Sequence, residues 1–251
     1  MRKFGLIGYP LGHSFSKQYF TLKFSRESLL NCRYDNYELE NPDHILDLIE
    51  LHHDLCGLNV TIPYKTEVIK YLDSIDDEAS EVGAVNVIKV TFREGKPFLK
   101  GFNSDVFGFE QSLKQSLRNR KIESAIVMGS GGSSKAIHFV LRKLHIKAVT
   151  VSRTLHTGRI TYDNLTDKLI SDNKLIINTT PLGTFPNVND KPDFKYQYLT
   201  PEHILFDLIY NPELTSFLKE GKDRGCEITG GLEMLHLQAE KSWEIWNDTN
   251  L

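Results

Sequence analysis

The sequence predicts an α/β protein made of two domains, the second of them a doubly wound parallel sheet, and three observations carry this prediction. Apolar runs of strand length alternate with amphipathic stretches of helix length along the chain, the signature of β-α-β units. The alternation ends in a linking helix and restarts at Ser124. In the restarted half a glycine turn, Gly129-Ser130-Gly131-Gly132, stands between an apolar strand and a helix.

In the first half, strands are expected at residues 3–8, 34–39 and 55–60, separated by amphipathic stretches such as 42–52. A short helix is expected after Pro63. Residues 84–91 and 96–101 read as a hairpin around Arg93-Glu94-Gly95, closing the first sheet. Val106, Phe109, Leu113 and Leu117 recur at helical spacing over 103–117, with Asn103 or Ser104 as the N-cap. This helix links the two halves.

The second half opens with a strand at 124–128, the glycine turn, a helix at 134–144 and a strand at 147–152. Further strands are expected at 175–178, 204–209 and 226–229, with a helix at 213–224. The last helix sets Leu232, Leu235, Ala239, Trp243 and Trp246 on one face. Periodicity alone does not say which domain it covers.

Composition narrows the function. With 251 residues, 40% hydrophobic and 25% charged, the chain is long enough for two domains and unlike disordered, collagen-like or disulfide-scaffold sequences. A net charge of -3 argues against nucleic-acid and membrane-surface partners, so a small-molecule substrate is expected. The 3 cysteines lack CxxC spacing and the 9 histidines lack metal-site spacing, so no disulfide framework and no metal are expected. No apolar run reaches the roughly 18 to 20 residues of a membrane span. Gly5, Gly8 and Pro10 interrupt the N-terminal apolar run, which excludes a signal sequence and points to the cytoplasm.

The glycine turn indicates a dinucleotide. Gly129, Gly131 and Gly132 permit a tight turn and let backbone N–H groups approach a pyrophosphate at a helix N-terminus, where the macrodipole favours negative charge. Ser134 replaces the usual third glycine but is small enough for close helix–sheet packing. The next strand ends Val151-Ser152-Arg153-Thr154, with no carboxylate before Asp163 to accept ribose hydroxyls. A 2′-phosphate is repelled by an acid and held by a guanidinium, so the segment favours NADP. Arg153 is the better clamp, and Arg159 reads more readily as a surface arginine.

Polar residues in the first half stand where strands or turns end: Ser14, Ser16, Asn59, Thr61, Lys65, Asn86, Asn103 and Asp105. Ligands of open α/β sheets bind at the carboxyl ends of strands, and a site rich in hydroxyls and amides suits a polyol. Hydride transfer from an alcohol requires removal of the hydroxyl proton, which a lysine or carboxylate performs. Lys65 serves either as a base, if burial lowers its pKa, or as a cationic donor to the developing alkoxide, and residue types alone leave both open.

Taken in order, GYPLGHSFS, GLNVTIPYK, GAVNV, GFNSDVFGF, MGSGGSSKA, SRT, INTTPLGT, DLIYNPELT and GGLEMLHLQA resemble the motifs of the shikimate dehydrogenase family, from near residue 5 to near residue 239. The resemblance implies a discontinuous α/β substrate-binding domain, residues 1–104 completed by a C-terminal helix at 232–251, and a Rossmann NADP-binding domain at 105–231. It implies NADP-dependent, reversible reduction of 3-dehydroshikimate to shikimate, by a monomer or homodimer. Lys65 and Asp105 resemble the family's catalytic pair. Ser14, Ser16, Thr61, Asn86, Tyr210 and Gln238 match its substrate-binding positions, with Asn59 in support. Gly129, Gly131, Gly132, Ser152, Arg153, Thr154, Thr179 and Gly230 match its cofactor-binding positions.

The chain departs from the family pattern at three places. Lys17-Gln18-Tyr19-Phe20 replaces the usual Pro-x-x-His-Asn and alters the start of that helix. Ser152 and Thr157 replace an asparagine and a lysine, which weakens the NADP preference. The segment after Ser152 is short, so no full helix is expected there. The rivals are a quinate or quinate/shikimate dehydrogenase, which in its NAD-using branch carries an acid after the second Rossmann strand, and a methylenetetrahydrofolate dehydrogenase, which calls for aromatic stacking. A catalytically silent nucleotide-binding regulator is the rival of another class, and the presence of Lys65 and Asp105 argues against it.

Overall fold

The computed structural model describes residues 1–12, 15–118 and 120–249. The chain forms two compact units, Met1–Ser104 with Ala239–Leu251, and Asp105–Gln238.

In the first unit, β1 (Arg2–Gly8), α1 (Phe15–Arg26), β2 (Cys32–Glu38), α2 (Ile45–Leu51) and β3 (Leu55–Val60) are followed by β4 (Ser74–Ile75), α3 (Asp77–Val82), β5 (Val87–Arg93) and β6 (Lys96–Phe102). They build one sheet of order β2-β1-β3-β5-β6-β4. β1 runs parallel to β2 and β3, whereas β5 runs antiparallel to both β3 and β6. The hairpin turns on Glu94 and Gly95, both at positive φ, as a two-residue loop requires. It does not close the sheet as expected: β4 lies outside β6 and pairs parallel with it. Asp76 caps α3 by accepting from the Glu78 N–H, and Gly83 ends it in the left-handed region.

One face of this sheet buries Ile7, Ile49, Leu58, Val68, Ile88 and Leu99. The other buries Phe4, Phe20, Tyr34 and Trp246. Trp246 belongs to α8 (Leu232–Asn247), whose residues from Ala239 onward lie in the first unit. The buried face of α8 is Met234, Ala239, Ser242, Ile245 and Trp246. Of the stripe read from the sequence, Ala239 and Trp246 are buried and Trp243 packs against the same core on Phe4 and Phe24, whereas Leu232 and Leu235 are only partly covered.

The second unit begins at the second residue of α4 (Ser104–Leu117) and runs through β7 (Ser124–Met128), α5 (Gly132–Lys143), β8 (Lys147–Ser152), β9 (Arg159–Thr161), α6 (Asp167–Asp172), β10 (Leu175–Asn178), β11 (Ile204–Asp207), α7 (Ser216–Lys222) and β12 (Glu227–Thr229). The sheet is parallel throughout, of order β12-β11-β10-β7-β8-β9. Read from the other edge in chain order it is 3-2-1-4-5-6, the doubly wound arrangement predicted, with its switch point between β7 and β10. No helix lies between β8 and β9, in keeping with the short segment there. β11 stops at Asp207 rather than 209 because the Asp207 carboxylate accepts from the Ile209 N–H and turns the chain. α7 starts later than expected, where the Thr215 hydroxyl accepts from the Leu218 N–H as its cap. Among the described residues no helix is long and apolar enough to cross a membrane.

Candidate active site

In the first unit the polar residues gather at one end of the sheet. β1 and β3 run parallel and end at Gly8 and Val60; β5 runs the other way and so starts at that end. Thr61 leaves β3 with its N–H donated to the Ile7 carbonyl at 2.9 Å. A Cβ on Gly8 would meet Thr61 Cγ2 at 2.5 Å, so only glycine lets the two segments approach. Half-buried Lys65 follows on a loop pinned by Tyr64, whose hydroxyl donates to the Leu39 carbonyl at 2.6 Å.

Val85 and Asn86 organise this end. The Val85 N–H donates to the Lys65 carbonyl at 2.7 Å, fixing the backbone that bears the lysine. The buried Asn86 side chain accepts from the Ser104 N–H at 2.7 Å, fixing the first residue of α4. Asp105 is the next residue, buried in the first turn of that helix, where the macrodipole favours a carboxylate. Asn59 plays the supporting part: its Oδ1 accepts from Tyr34 at 2.8 Å and its Nδ2 donates to Ser242 at 2.9 Å. Ser16 lies at the start of α1 and hydrogen-bonds the Tyr34 phenol. Lys17, which stands where the family has proline, ion-pairs with Asp35 at 3.5 Å, and Phe20 stacks on Tyr34 with ring centroids 4.7 Å apart. Ser14 lies outside the described residues.

In the second unit the glycine turn sits at the switch point. Gly129 has φ +105, and a Cβ there would come 2.5 Å from Thr179 Oγ1. Thr179 reaches back across the switch point, donating its hydroxyl to the Met128 carbonyl at 2.7 Å. Gly131 is the N-cap of α5 and offers no side chain to its N–H groups, and a Cβ on it would meet open space. Gly132 begins the helix; buried Ser134 donates to the Gly129 carbonyl at 3.1 Å and ties the turn down. At the end of β8 the Ser152 hydroxyl donates to the Thr154 carbonyl at 2.6 Å, while Arg153 and Thr154 are exposed. Arg159 begins β9, where it pairs with Thr150.

Gly230 and Gly231 lie between β12 and α8, and a Cβ on Gly231 would fall 2.1 Å from the Leu208 carbonyl. Tyr210 is half-buried, and burial pushes its phenol above the usual range. Gln238 lies over Gly108, where an added Cβ would meet Gln238 Cβ at 3.2 Å.

Sequence reasoning missed the buried triad behind Thr179 and Tyr210. Asp207 accepts from Asn178 Nδ2 at 3.0 Å and from the Thr215 hydroxyl at 2.6 Å. Asn178 Oδ1 accepts from Thr180, through its N–H at 3.0 Å and its hydroxyl at 2.7 Å. Burial pushes the Asp207 carboxyl up to about 6 against these hydrogen bonds. The signal was present in the strings LIIN and ILFD, apolar strands that each end on one polar residue. No metal-binding group of three His, Cys, Asp or Glu side chains occurs among the described residues.

The glycine cradle, with a helix N-terminus that carries no side-chain cap and an exposed arginine after β8, fits a phosphorylated dinucleotide. Residues 6–88 match the family model described as the shikimate dehydrogenase substrate binding domain. A shikimate dehydrogenase (NADP(+)) of Methanococcus aeolicus is 35% identical, over 96% of this chain and 90% of that protein. One of Clostridium beijerinckii is 37% identical, over 100% of this chain and 94% of that protein. The crystal structure of the Thermus thermophilus shikimate 5-dehydrogenase with NADP(H) and shikimate superposes with a TM-score of 0.83 at 28% identity, covering 100% of this chain and 94% of that one. With relatives above 30% identity along nearly its whole length, the chain belongs to the shikimate dehydrogenase family.

Proposed function

We propose that this chain is an NADP-dependent shikimate dehydrogenase, reducing 3-dehydroshikimate to shikimate and running the reverse reaction. The observation that carries the reading is the shared origin of the polar side chains: Thr61, Lys65 and Asn86 all leave one end of the first sheet, and Asp105 follows the residue that Asn86 anchors. An array of hydroxyl, amide and ammonium groups suits a ring that bears hydroxyls and a carboxylate. Family membership supports the same substrate.

The bound NADP supplies the hydride acceptor in the oxidation direction and the donor in reduction. Gly129, Gly131 and Gly132 would hold its diphosphate against the α5 N-terminus, Arg153 would meet the 2′-phosphate with Ser152 and Thr154 beside it, and Thr179 and Gly230 would line the nicotinamide half. By their match to the family's motifs, Ser14, Ser16 and Tyr210 would serve the substrate carboxylate, and Thr61, Asn86 and Gln238 its hydroxyls. In oxidation the Lys65–Asp105 pair takes up the hydroxyl proton as the carbon gives up its hydride; in reduction it returns that proton to the carbonyl oxygen. In this reading the glycine turn and the end of β8 serve the dinucleotide, while the substrate residues come from the first unit together with Asp105, Tyr210 and Gln238 of the second. A cytoplasmic setting is supported by three free cysteines, Cys32, Cys56 and Cys226.

Shikimate oxidation, followed by NADPH absorbance, tests the reading in the parent and in Lys65→Ala. The parent turns over, and the variant loses kcat by at least about 10²-fold with a smaller change in KM. No turnover by the folded parent ends the reading, and near-parental kcat in the variant demotes the lysine.

A further inference from the structure

The first unit contains a chain of buried and half-buried polar side chains that runs from one candidate substrate residue to another. It begins at Ser16, bonded to the Tyr34 phenol. Tyr34 donates to Asn59 Oδ1 at 2.8 Å, and Asn59 Nδ2 donates to Ser242 Oγ at 2.9 Å. The hydroxyls of Ser242 and Ser104 share a hydrogen bond at 3.2 Å. Asn86 then grips Ser104 twice, accepting from its N–H at 2.7 Å and donating through Nδ2 to its hydroxyl at 3.1 Å.

Ser242 joins the two halves of this chain. It is fully buried on α8, on the face that also carries Ala239, Ile245 and Trp246. Helix formation does not explain a serine there: alanine has the higher propensity and buries no hydroxyl that needs a partner. Its bonds to Asn59 and Ser104 do explain it. One helical turn earlier on the same face of α8 stands Gln238, a candidate substrate residue. At the other end of the contact, Ser104 opens α4 and immediately precedes Asp105.

We propose that Ser242 is a positioning residue for the reaction. It holds Asn59 and Ser104 in register, so that Asn86 and the first turn of α4, where Asp105 stands, keep the placement that proton transfer needs. The C-terminal helix thereby contributes to the active site through a residue that need not touch substrate. The kinetic part of this proposal rests on the function proposed above, whereas the placement of Ser104 does not.

The test compares the full-length parent with Ser242→Ala, Ser104→Ala and the double variant. Two readouts are needed: steady-state kinetics with shikimate and NADP⁺, and hydrogen exchange of the Ser104 amide by NMR. In Ser242→Ala, kcat falls about tenfold while KM for NADP⁺ stays within about twofold. The Ser104 amide exchanges at least about tenfold faster, while amides of the central strands such as Ile88 keep their protection. The double variant loses no more kcat than the worse single variant, because both break one linkage. Unchanged kcat, or unchanged Ser104 exchange, in folded Ser242→Ala overturns the proposal. So does uniform loss of protection across the unit, which marks Ser242 as merely structural. If Ser104 exchange rises but the parent itself does not oxidise shikimate, the positional link stands and the functional reading falls.

Discussion

Asp207→Asn is expected to change how stability depends on pH, and the structure sets the size of the effect. Asp207 is fully buried at the end of β11, and burial lifts its carboxyl from 3.8 to about 6. A group raised in the folded state stabilises it fully below the unfolded pKa, and that contribution is lost as pH rises through the folded pKa. The window is therefore pH 3.8 to about 6, over which Asp207 withdraws about 3 kcal/mol from the native state. Roughly 2 kcal/mol of this is lost between about pH 4.5 and 7.5, a range accessible to urea unfolding. Other carboxylates push the opposite way. Burial raises Glu110, for example, but Lys114 and Lys143 pull it below its usual range, which adds stability at neutral pH. The informative quantity is thus the variant-minus-parent difference at each pH. Asparagine does not titrate, so the variant gains on the parent by roughly 2 kcal/mol from about pH 4.5 to 7.5. Parallel curves, or a variant that loses ground as pH rises, would refute the assignment of Asp207 as a buried, reluctantly ionised acid.

Two further outcomes follow from close contacts and charge. Gly57→Ala would drive a Cβ to 2.3 Å from the Trp246 indole, which donates to the Ile88 carbonyl at 3.1 Å. It is expected to cost about 1–3 kcal/mol, read as a lower melting temperature together with a change in tryptophan fluorescence. Arg153→Ala is expected to raise KM for NADP⁺ about tenfold or more and leave KM for NAD⁺ nearly unchanged, because a guanidinium recognises the 2′-phosphate that only NADP carries. Equal effects on both cofactors in steady-state kinetics would move the phosphate contact elsewhere.

The fold was most legible where strands are buried on both faces. β7 and β10 fall on the residues expected because parallel central strands are continuous apolar runs, and β3 and β8 match as well although each is covered only in part. β4, α3, β9 and α6 were not foreseen. Strands of two or three residues and helices of six carry too few residues for periodicity, and their neighbours and caps decide them. The glycine turn was readable because its residue types are dictated by backbone conformation. Asp207 and Ser242 were not singled out, since each depends on partners distant in sequence, Asn178 for the one and Asn59 and Ser104 for the other. The face of α8 was read only in part: Ala239 and Trp246 are buried and Trp243 packs against the same core, but a serine is buried there too while Leu232 and Leu235 are only partly covered, which blurs the apolar stripe that marks a helix face.

The central claim is tested most directly by initial rates with shikimate and quinate, each with NADP⁺ and NAD⁺. The expected result is that kcat/KM is highest by far for shikimate with NADP⁺, and that changing either the ring or the cofactor lowers it. Equal or faster turnover of quinate, or a clear preference for NAD⁺, would contradict it.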